Sequence, residues 1–143
     1  MGVRKYEDFD AFQLAEGFKS EVFRIVKASP DAMRDHRFRN QLFDAAAGPG
    51  KHIAEGFLRR SPKAFALFLD YALGSLVEAQ RRLGDGVELE YYENAICQPA
   101  LKLGRRCFKA TARLKQSQIS YAEKLEEEKQ KRKRPPRDPP NRS

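Results

Sequence analysis

The sequence predicts an all-α protein, specifically an antiparallel up-and-down four-helix bundle, and three observations lead to this class. Apolar residues recur at every third or fourth position in four long runs, which is the spacing of an amphipathic helix. No stretch alternates apolar and polar residues in the manner of a half-buried strand. Glycine, proline and serine separate the runs. One compact core can bury the stripes of all four helices.

The first predicted helix covers about residues 8–28, with Phe12, Phe18 and Val22 on its apolar face. Ser29 and Pro30 should stop it, because the residue before a proline avoids the helical region. The second predicted helix covers about residues 31–57. Its interior holds the segment Gly48-Pro49-Gly50, which should kink or briefly break it near Pro49.

The third predicted helix begins with Ser61 as N-cap and Pro62 in the first turn, where a missing N–H costs little. A strong apolar stripe follows, and the turn Gly84-Asp85-Gly86 should end the helix. The fourth predicted helix covers about residues 88–114, thins out towards residue 129 and should kink near Pro99. Its stripe has eight members: Leu89, Tyr92, Ile96, Ala100, Leu103, Cys107, Ala110 and Leu114.

Charge and proline divide the chain into a bundle at residues 1–128 and a disordered tail at residues 129–143. The net charge is +8, and the tail alone holds seven basic residues against one acid, together with four of the eight prolines. Such a segment has no apolar side chain to bury, so nothing offsets the entropy of ordering it. A basic run is typical of phosphate-binding segments. A solubilising tail is the alternative interpretation.

Length and composition argue against a multi-domain protein, a membrane protein and an exported protein. With 143 residues the chain has room for one ordinary domain. No apolar run approaches the roughly 18–20 residues that span a bilayer, and no export signal follows the N-terminus, so we expect a cytoplasmic protein that does not contact membranes. Cys97 and Cys107 are then expected to be free thiols. Aromatic residues off the main stripes, including Phe23, Phe43 and Phe108, favour oligomerisation.

One block of the sequence is specific to a family. It contains Ile53-Ala54-Glu55-Gly56-Phe57, the basic turn Arg59-Arg60-Ser61, and Gly74-Ser75-Leu76-Val77-Glu78. This block resembles the bacterial four-helix-bundle family of 23S rRNA intervening-sequence proteins. The resemblance covers about residues 6–114. It implies that six residues of the motif have a structural role: Ile53, Ala54, Glu55, Gly56, Gly74 and Ser75.

The resemblance also implies a function. The family has no known enzymatic activity, and some members are encoded within ribosomal RNA genes. A related group, the accessory variability determinants of diversity-generating retroelements, forms basic pentameric barrels that bind reverse transcriptase and nucleic acid. By this resemblance the chain forms a homo-oligomer, with a pentamer favoured. Its expected partner is RNA or another nucleic acid, or a reverse transcriptase or other ribonucleoprotein component.

The candidates for catalytic or metal chemistry are weak. Glu55 is expected to bond the start of the third helix or to pair with Arg59. His52 and Glu55 are three residues apart, but a di-iron bundle needs two Glu-x-x-His motifs and two further glutamates. The two cysteines are ten residues apart and match no zinc spacing. We therefore expect no enzyme activity, no cofactor and no metal.

Basic side chains are better candidates for a functional site, as groups that bind nucleic acid. They fall into three groups. Arg59, Arg60 and Lys63 surround the start of the third helix. Arg105, Arg106 and Lys109, together with Arg113, share a face of the fourth. The tail supplies the run Lys131, Arg132, Lys133 and Arg134. We interpret the chain as a non-catalytic homo-oligomeric adaptor that binds RNA or a ribonucleoprotein through these groups. The alternative is a protein-interaction scaffold that forms a ring without binding nucleic acid.

Overall fold

A computed structural model describes residues 5–137, and every regular element in that range is helical, as predicted. A 3₁₀ turn at Tyr6–Asp8 precedes five α-helices: α1 (Asp10–Lys27), α2 (Pro30–Arg34), α3 (His36–Leu58), α4 (Pro62–Glu88) and α5 (Asn94–Lys133). Within the described range, no helix combines the length and the apolar character needed to cross a lipid bilayer.

The four long helices pack as a bundle in which each contacts two others. The order around the bundle is α1, α3, α4, α5 and back to α1. Gln41 of α3 accepts a hydrogen bond of 2.7 Å from Arg82 near the end of α4. At the other end, Gly56 packs against Phe68 near the start of α4. Residue numbers thus rise along α3 as they fall along α4.

The core lies on the bundle axis and takes residues from every predicted stripe. Its largest fully buried side chains include Phe18 and Ile25 from α1, Leu42 and Ile53 from α3, and Leu69, Leu76 and Leu83 from α4. From α5 the core takes only small residues, such as Cys97, Ala100 and Cys107. Small side chains let α5 approach its neighbours closely, which fixes the orientation of its outer face.

Two members of the predicted fourth stripe are exposed. Leu89 is 51% exposed and Ile96 is 46% exposed. The reason is that α5 begins at Asn94, so Leu89 lies in the connection after α4 and Ile96 lies in the first turn of α5. The prediction of one helix from residue 88 is wrong at this end.

The connection between α4 and α5 depends on Tyr92. Its hydroxyl donates a hydrogen bond of 2.8 Å to the carbonyl oxygen of Leu83. The ring fills the space beside Gly86, where a Cβ atom would overlap the tyrosine oxygen. Gly86 is therefore a packing residue within α4, and the predicted helix end at residues 84–86 is wrong because α4 continues to Glu88.

The second predicted helix is divided at Asp35. Ser29 caps the short α2, and the Asp35 side chain accepts a hydrogen bond of 3.1 Å from the backbone N–H of Phe38 at the start of α3. The same carboxylate accepts a hydrogen bond of 2.6 Å from the hydroxyl of Tyr91. Asp35 thus joins the start of α3 to the connection between α4 and α5.

The predicted break at Gly48-Pro49-Gly50 is wrong, because α3 continues through all three residues. They are buried, and a Cβ atom at Gly48 would lie 2.5 Å from the Ser75 hydroxyl oxygen of α4. Close packing at this point explains the small residues without any interruption of the helix. α5 likewise continues through Pro99, and a bend at either proline stays a prediction.

The predicted tail begins too early. α5 continues to Lys133, so residues 129–133 are helical rather than disordered. Glu127 precedes Lys131 by four residues, and Glu128 precedes Arg132 by four, a spacing that stabilises helices. Cations in the last turn also interact favourably with the helix dipole. The rest of the predicted tail beyond residue 137 lies outside the described residues.

Candidate nucleic-acid interface

The outer face of α5 carries a continuous row of cations. Within residues 94–122 the sequence has six basic residues and no acid. Five of the six are exposed and, at 3.6 residues per turn, lie on one side of the helix. We call this set the α5 basic face: Lys102, Arg105, Arg106, Lys109 and Arg113.

The opposite side of this part of α5 is firmly docked. Cys97, Ala100, Gly104, Cys107 and Thr111 are its buried residues. A Cβ atom at Gly104 would overlap the Gln80 amide and lie 3.2 Å from the Phe18 ring. The Cys107 thiol donates a hydrogen bond of 3.7 Å to the Ala11 carbonyl oxygen of α1. Since the helix cannot rotate without losing these contacts, the backbone positions of the five basic residues are fixed and all five face outward from the bundle.

None of the five cations has an acidic partner within the part of the chain that the structure describes. The sixth, Lys115, lies to the side and makes an ion pair of 2.6 Å with Asp70 of α4. Neighbouring like charges repel, and a row of unpaired cations attracts anions from solution. The α5 basic face therefore has the electrostatic character of a phosphate-binding surface.

The second predicted group lies at the connection from α3 to α4. Arg59 and Arg60 are exposed, and Arg60 has a φ of 55°, in the left-handed region. The Arg59 guanidinium lies 5.0 Å from the centre of the Phe68 ring, within cation–π range. Ser61 accepts a hydrogen bond of 3.2 Å from the Ala64 N–H, which confirms its predicted role as N-cap. Lys63 is exposed in the first turn of α4.

The third predicted group ends α5. Lys131, Arg132 and Lys133 form its last turn, Arg134 is the C-cap, and all four are exposed. No residue of α5 after Thr111 is buried, and Tyr121 shares a cavity with Phe57 of α3 and Phe65 of α4. We therefore call residues 122–137 the C-terminal extension.

The structure separates the α5 basic face from the basic residues at the end of α5. Arg113 and Lys131 are separated by 18 positions of one helix, or about 27 Å at 1.5 Å per residue. Arg59, Arg60 and Lys63 lie at the connection from α3 to α4, where Arg60 shares a cavity with Ser117 and Gln118 of α5. The α5 basic face is the group that combines fixed position with unpaired charge.

Sequence reasoning missed one member of this face. Lys102 precedes Arg106 by four residues, so helical spacing alone places the two side chains together. The absence of acids between residues 94 and 122 is also visible by counting. Both signals were available without a structure.

The family-motif residues pack the α3–α4 contact. Ile53 is fully buried, and a Cβ atom at Gly56 would lie 2.5 Å from the Cβ of Phe68. Ser75 lies against Gly48, whereas Gly74 is exposed and has open space beside it. Ala54 is half-buried.

Glu55 is half-buried, and its nearest basic group is not the predicted Arg59. Its Oε2 lies 3.9 Å from Nδ1 of His52. Burial lowers the pKa of His52, and the carboxylate of Glu55 opposes that shift. The imidazole is therefore neutral at neutral pH, and the contact is not a strong ion pair.

The remaining reactive side chains are enclosed. Burial raises the pKa of Cys107 to about 11 and also raises the pKa of Cys97, so both thiols stay protonated at neutral pH. Across residues 5–137, no three side chains of histidine, cysteine, aspartate or glutamate are close enough together to hold a metal ion.

Comparison with known proteins agrees with the sequence block around residues 53–78. The family model described as "23S rRNA-intervening sequence protein" matches residues 7–112. The match covers α1 to α4 and most of the α5 basic face, and it ends before the C-terminal extension. No curated protein matches the chain.

Proposed function

Since the chain belongs to the 23S rRNA-intervening sequence protein family, we propose that it is a non-catalytic, homo-oligomeric adaptor that binds RNA or a ribonucleoprotein partner. Its framework is an antiparallel up-and-down bundle in the cytoplasm, with a pentameric ring as the favoured assembly. The observation that carries the proposal is the α5 basic face, with five exposed, unpaired cations and no acid from residue 94 to residue 122.

The dimensions of the face suit a nucleic-acid backbone. From Lys102 to Arg113 the helix rises about 17 Å, a length over which a duplex presents several phosphates. Arginine and lysine at these positions bind phosphate without reading the base sequence. Affinity should therefore depend strongly on salt and weakly on sequence.

An oligomer would repeat this face several times. Exposed apolar side chains on the outer side of α4 support self-association: Leu67, Tyr71 and Val77 are 50%, 47% and 51% exposed. In a ring, each added copy contributes five more cations, and simultaneous contacts raise affinity without any new type of contact. A reverse transcriptase, or another protein that carries RNA, is a partner of the same kind.

The same apolar face of α4 favours the second candidate function, a ring-forming scaffold that binds a protein and no nucleic acid. The two candidates differ in what charge reversal on α5 does. A scaffold built on α4 keeps its oligomeric state and its partner when α5 changes charge, whereas the nucleic-acid adaptor loses its RNA.

The test is binding of a fluorescent RNA hairpin to nuclease-treated full-length protein, measured by anisotropy at several salt concentrations. The variant combines Arg105→Glu, Arg106→Glu and Lys109→Glu. We expect at least a tenfold loss of affinity at about 0.1 M salt. The slope of log affinity against log salt should become shallower by about 2.7, or about 0.9 for each lost phosphate contact.

A matched control reverses three exposed cations on other helices: Arg37→Glu, Lys51→Glu and Arg81→Glu. It changes the net charge by the same amount and should retain most of the affinity and the slope of the wild type. Equal losses in both variants would show that only total charge matters. Full affinity in the α5 variant would contradict the proposal.

A further inference from the structure

A large groove lies at the end of the bundle opposite the α3–α4 connection. Its volume is about 1020 Å³, and it lies where the end of α1 meets the start of α5. Apolar side chains form much of its wall, including Ile25, Val87 and Ile96. Ile96 is 46% exposed, so the groove offers uncovered apolar surface.

The floor of the groove is held by hydrogen bonds. The Ser29 hydroxyl donates a hydrogen bond of 2.7 Å to the Tyr91 carbonyl oxygen, and the Tyr91 N–H donates one of 2.9 Å to Gly86. Glu90 has a φ of 62°, which turns the chain sharply before Tyr91. The groove is therefore preformed rather than a gap between loose segments.

The rim of the groove is acidic. Asp31, Glu90 and Glu93 line it and are exposed. Arg24, the one basic residue of the lining, is paired with Glu21 at 2.6 Å, and Asp31 is paired with Arg34. Glu90 and Glu93 are therefore the carboxylates of the rim that have no ion-pair partner among the described residues.

Glu90 and Glu93 belong to residues 83–101, which contain four acids and no basic residue; the other two acids, Asp85 and Glu88, line a different cavity. An apolar groove with a carboxylate rim suits a ligand that combines cations with an apolar surface.

The end of the C-terminal extension has that combination. Residues 131–137 contain five basic residues and two adjacent prolines. After the helix ends, Arg134 has φ −65° and ψ 130°, close to the polyproline II conformation. Proline-containing segments in this conformation bind grooves that present aromatic side chains, and Tyr91 lines this groove.

The segment cannot reach the groove of its own chain. The 40 residues of α5 begin at the groove and end at Lys133, which is a separation of about 60 Å. Residues 134–137, fully extended, cover at most about 14 Å. Any such contact must therefore join two copies.

We propose that residues 131–137 of one copy bind the acidic groove of a second copy, forming a head-to-tail contact between protomers. The inference rests on the homo-oligomeric part of the proposed function and assigns a segment to it. Because the two surfaces differ, the contact is heterologous and continues from copy to copy. The contact is largely electrostatic and should weaken as salt screens the charges.

The test is sedimentation velocity of nuclease-treated full-length protein with two charge-reversed variants. The tail variant carries Lys131→Glu, Lys133→Glu and Arg134→Glu. The groove variant carries Asp31→Lys, Glu90→Lys and Glu93→Lys. Each alone should weaken self-association at least tenfold. An equimolar mixture of the two should associate again, because each basic segment then meets an acidic groove and each acidic segment meets a basic groove.

The control variant, Asp10→Lys with Asp44→Lys, reverses exposed acids away from the groove and should associate like the wild type. Circular dichroism establishes that every variant is folded. A mixture that does not associate, or an oligomer that neither variant affects, would overturn the head-to-tail contact and leave the proposed oligomer standing. A monomeric wild type would overturn both.

The remaining possibility is that residues 131–137 bind nucleic acid instead of the groove, and binding of the RNA hairpin to the tail variant tests it. If the tail variant loses RNA affinity while its self-association is unchanged, the segment binds nucleic acid and the inference is wrong. RNA binding by the α5 basic face is measured on different residues, so its result is independent of this one.

Discussion

The two parts of α5 carry similar numbers of cations, but one part is docked on the bundle and the other projects beyond it. Residues 94–121 are docked on the bundle, and five of their six cations point outward, with no acid in this part of the sequence. The C-terminal extension follows the docked part, and all of its basic residues except Lys124 come after four closely spaced glutamates on the same helix. Charge on a fixed surface can match the spacing of phosphates, whereas charge on a projecting segment can reach another molecule. Where a cation is held matters as much as how many there are.

The largest expected difference between the two parts is in how much an alanine-to-leucine substitution lowers the free energy of unfolding. Ala100 is fully buried in the docked part, and Ala122 is half-buried at the start of the extension. Ala100→Leu adds three carbon atoms to a closely packed site and should lower the free energy of unfolding by about 1–3 kcal/mol. Ala122→Leu makes the same chemical change and should alter it by less than about 0.5 kcal/mol. Urea unfolding followed by circular dichroism measures both, and equal effects would mean that residue 100 is not docked.

The thiols provide a second contrast. Burial raises the pKa of Cys107 to about 11 from an ordinary value of 9.0, so the thiolate fraction at pH 8 falls about a hundredfold. Cys107 should therefore react with a disulfide reagent at least a hundredfold more slowly than an exposed thiol, and Cys97, whose pKa burial also raises, should react more slowly than an exposed thiol as well. A cysteine introduced into the extension by Gln130→Cys is the matched control and should react at the rate of a free thiol. Fast reaction of the native cysteines would show that the docked part opens readily.

The same raised pKa links stability to pH. The folded protein holds the Cys107 proton more tightly than the unfolded chain does, because the folded pKa is above the unfolded one. This contribution to stability is fully present below about pH 9 and is lost as the pH rises through 11. Cys107→Ser removes the thiol and should flatten the stability profile in that window, as measured by urea unfolding at several pH values.

The smallest expected effect concerns the ion pair between Lys115 and Asp70, which joins α5 to α4 at 2.6 Å. Both side chains are partly exposed, so the pair contributes at most about 1 kcal/mol. Asp70→Asn should leave the fold unchanged and free a sixth cation on the docked part. RNA affinity should then rise about two- to threefold at low salt. Glu123→Gln makes the same change in net charge on the extension and should have a smaller effect. A larger rise in RNA affinity from Glu123→Gln than from Asp70→Asn would contradict the proposed difference between the two parts of α5.

Local chemistry made part of the fold predictable. The cap at Ser61 was confirmed, because a serine followed by a proline in the first turn specifies a helix start without help from distant residues. The apolar stripes identified Phe18, Leu42 and Leu76 as core, because helical periodicity places them on one face. The family block around residues 53–78 was specific enough to identify the family.

The helix boundaries were predicted wrongly where contacts between residues far apart in the sequence outweigh the local sequence pattern. Gly48-Pro49-Gly50 looks like a helix break, but close approach of Ser75 makes it a tightly packed part of α3. The division at Asp35 depends on a hydrogen bond from Tyr91, which is 56 residues away in the sequence. Gly86 looks like a helix end until Tyr92 is seen to occupy the space beside it.

The candidate site was partly predictable for a similar reason. Arg105, Arg106 and Lys109 could be grouped because helical spacing places them together. The separation of this face from Lys131 could not be predicted, because it depends on α5 continuing as one helix for 40 residues. The acidic groove brings residues near 30 together with residues near 90, and no local pattern indicates that pairing.

The most direct test of where RNA binds is lysine acetylation of the wild-type protein with and without the RNA hairpin, read by mass spectrometry. Lys102 and Lys109 report on the α5 basic face, Lys131 reports on the C-terminal extension, and Lys51 on α3 is the reference. The account predicts strong protection of Lys102 and Lys109 by RNA and little change at Lys51 and Lys131. Equal protection at all four, or free modification of Lys102 and Lys109 in the complex, would contradict it.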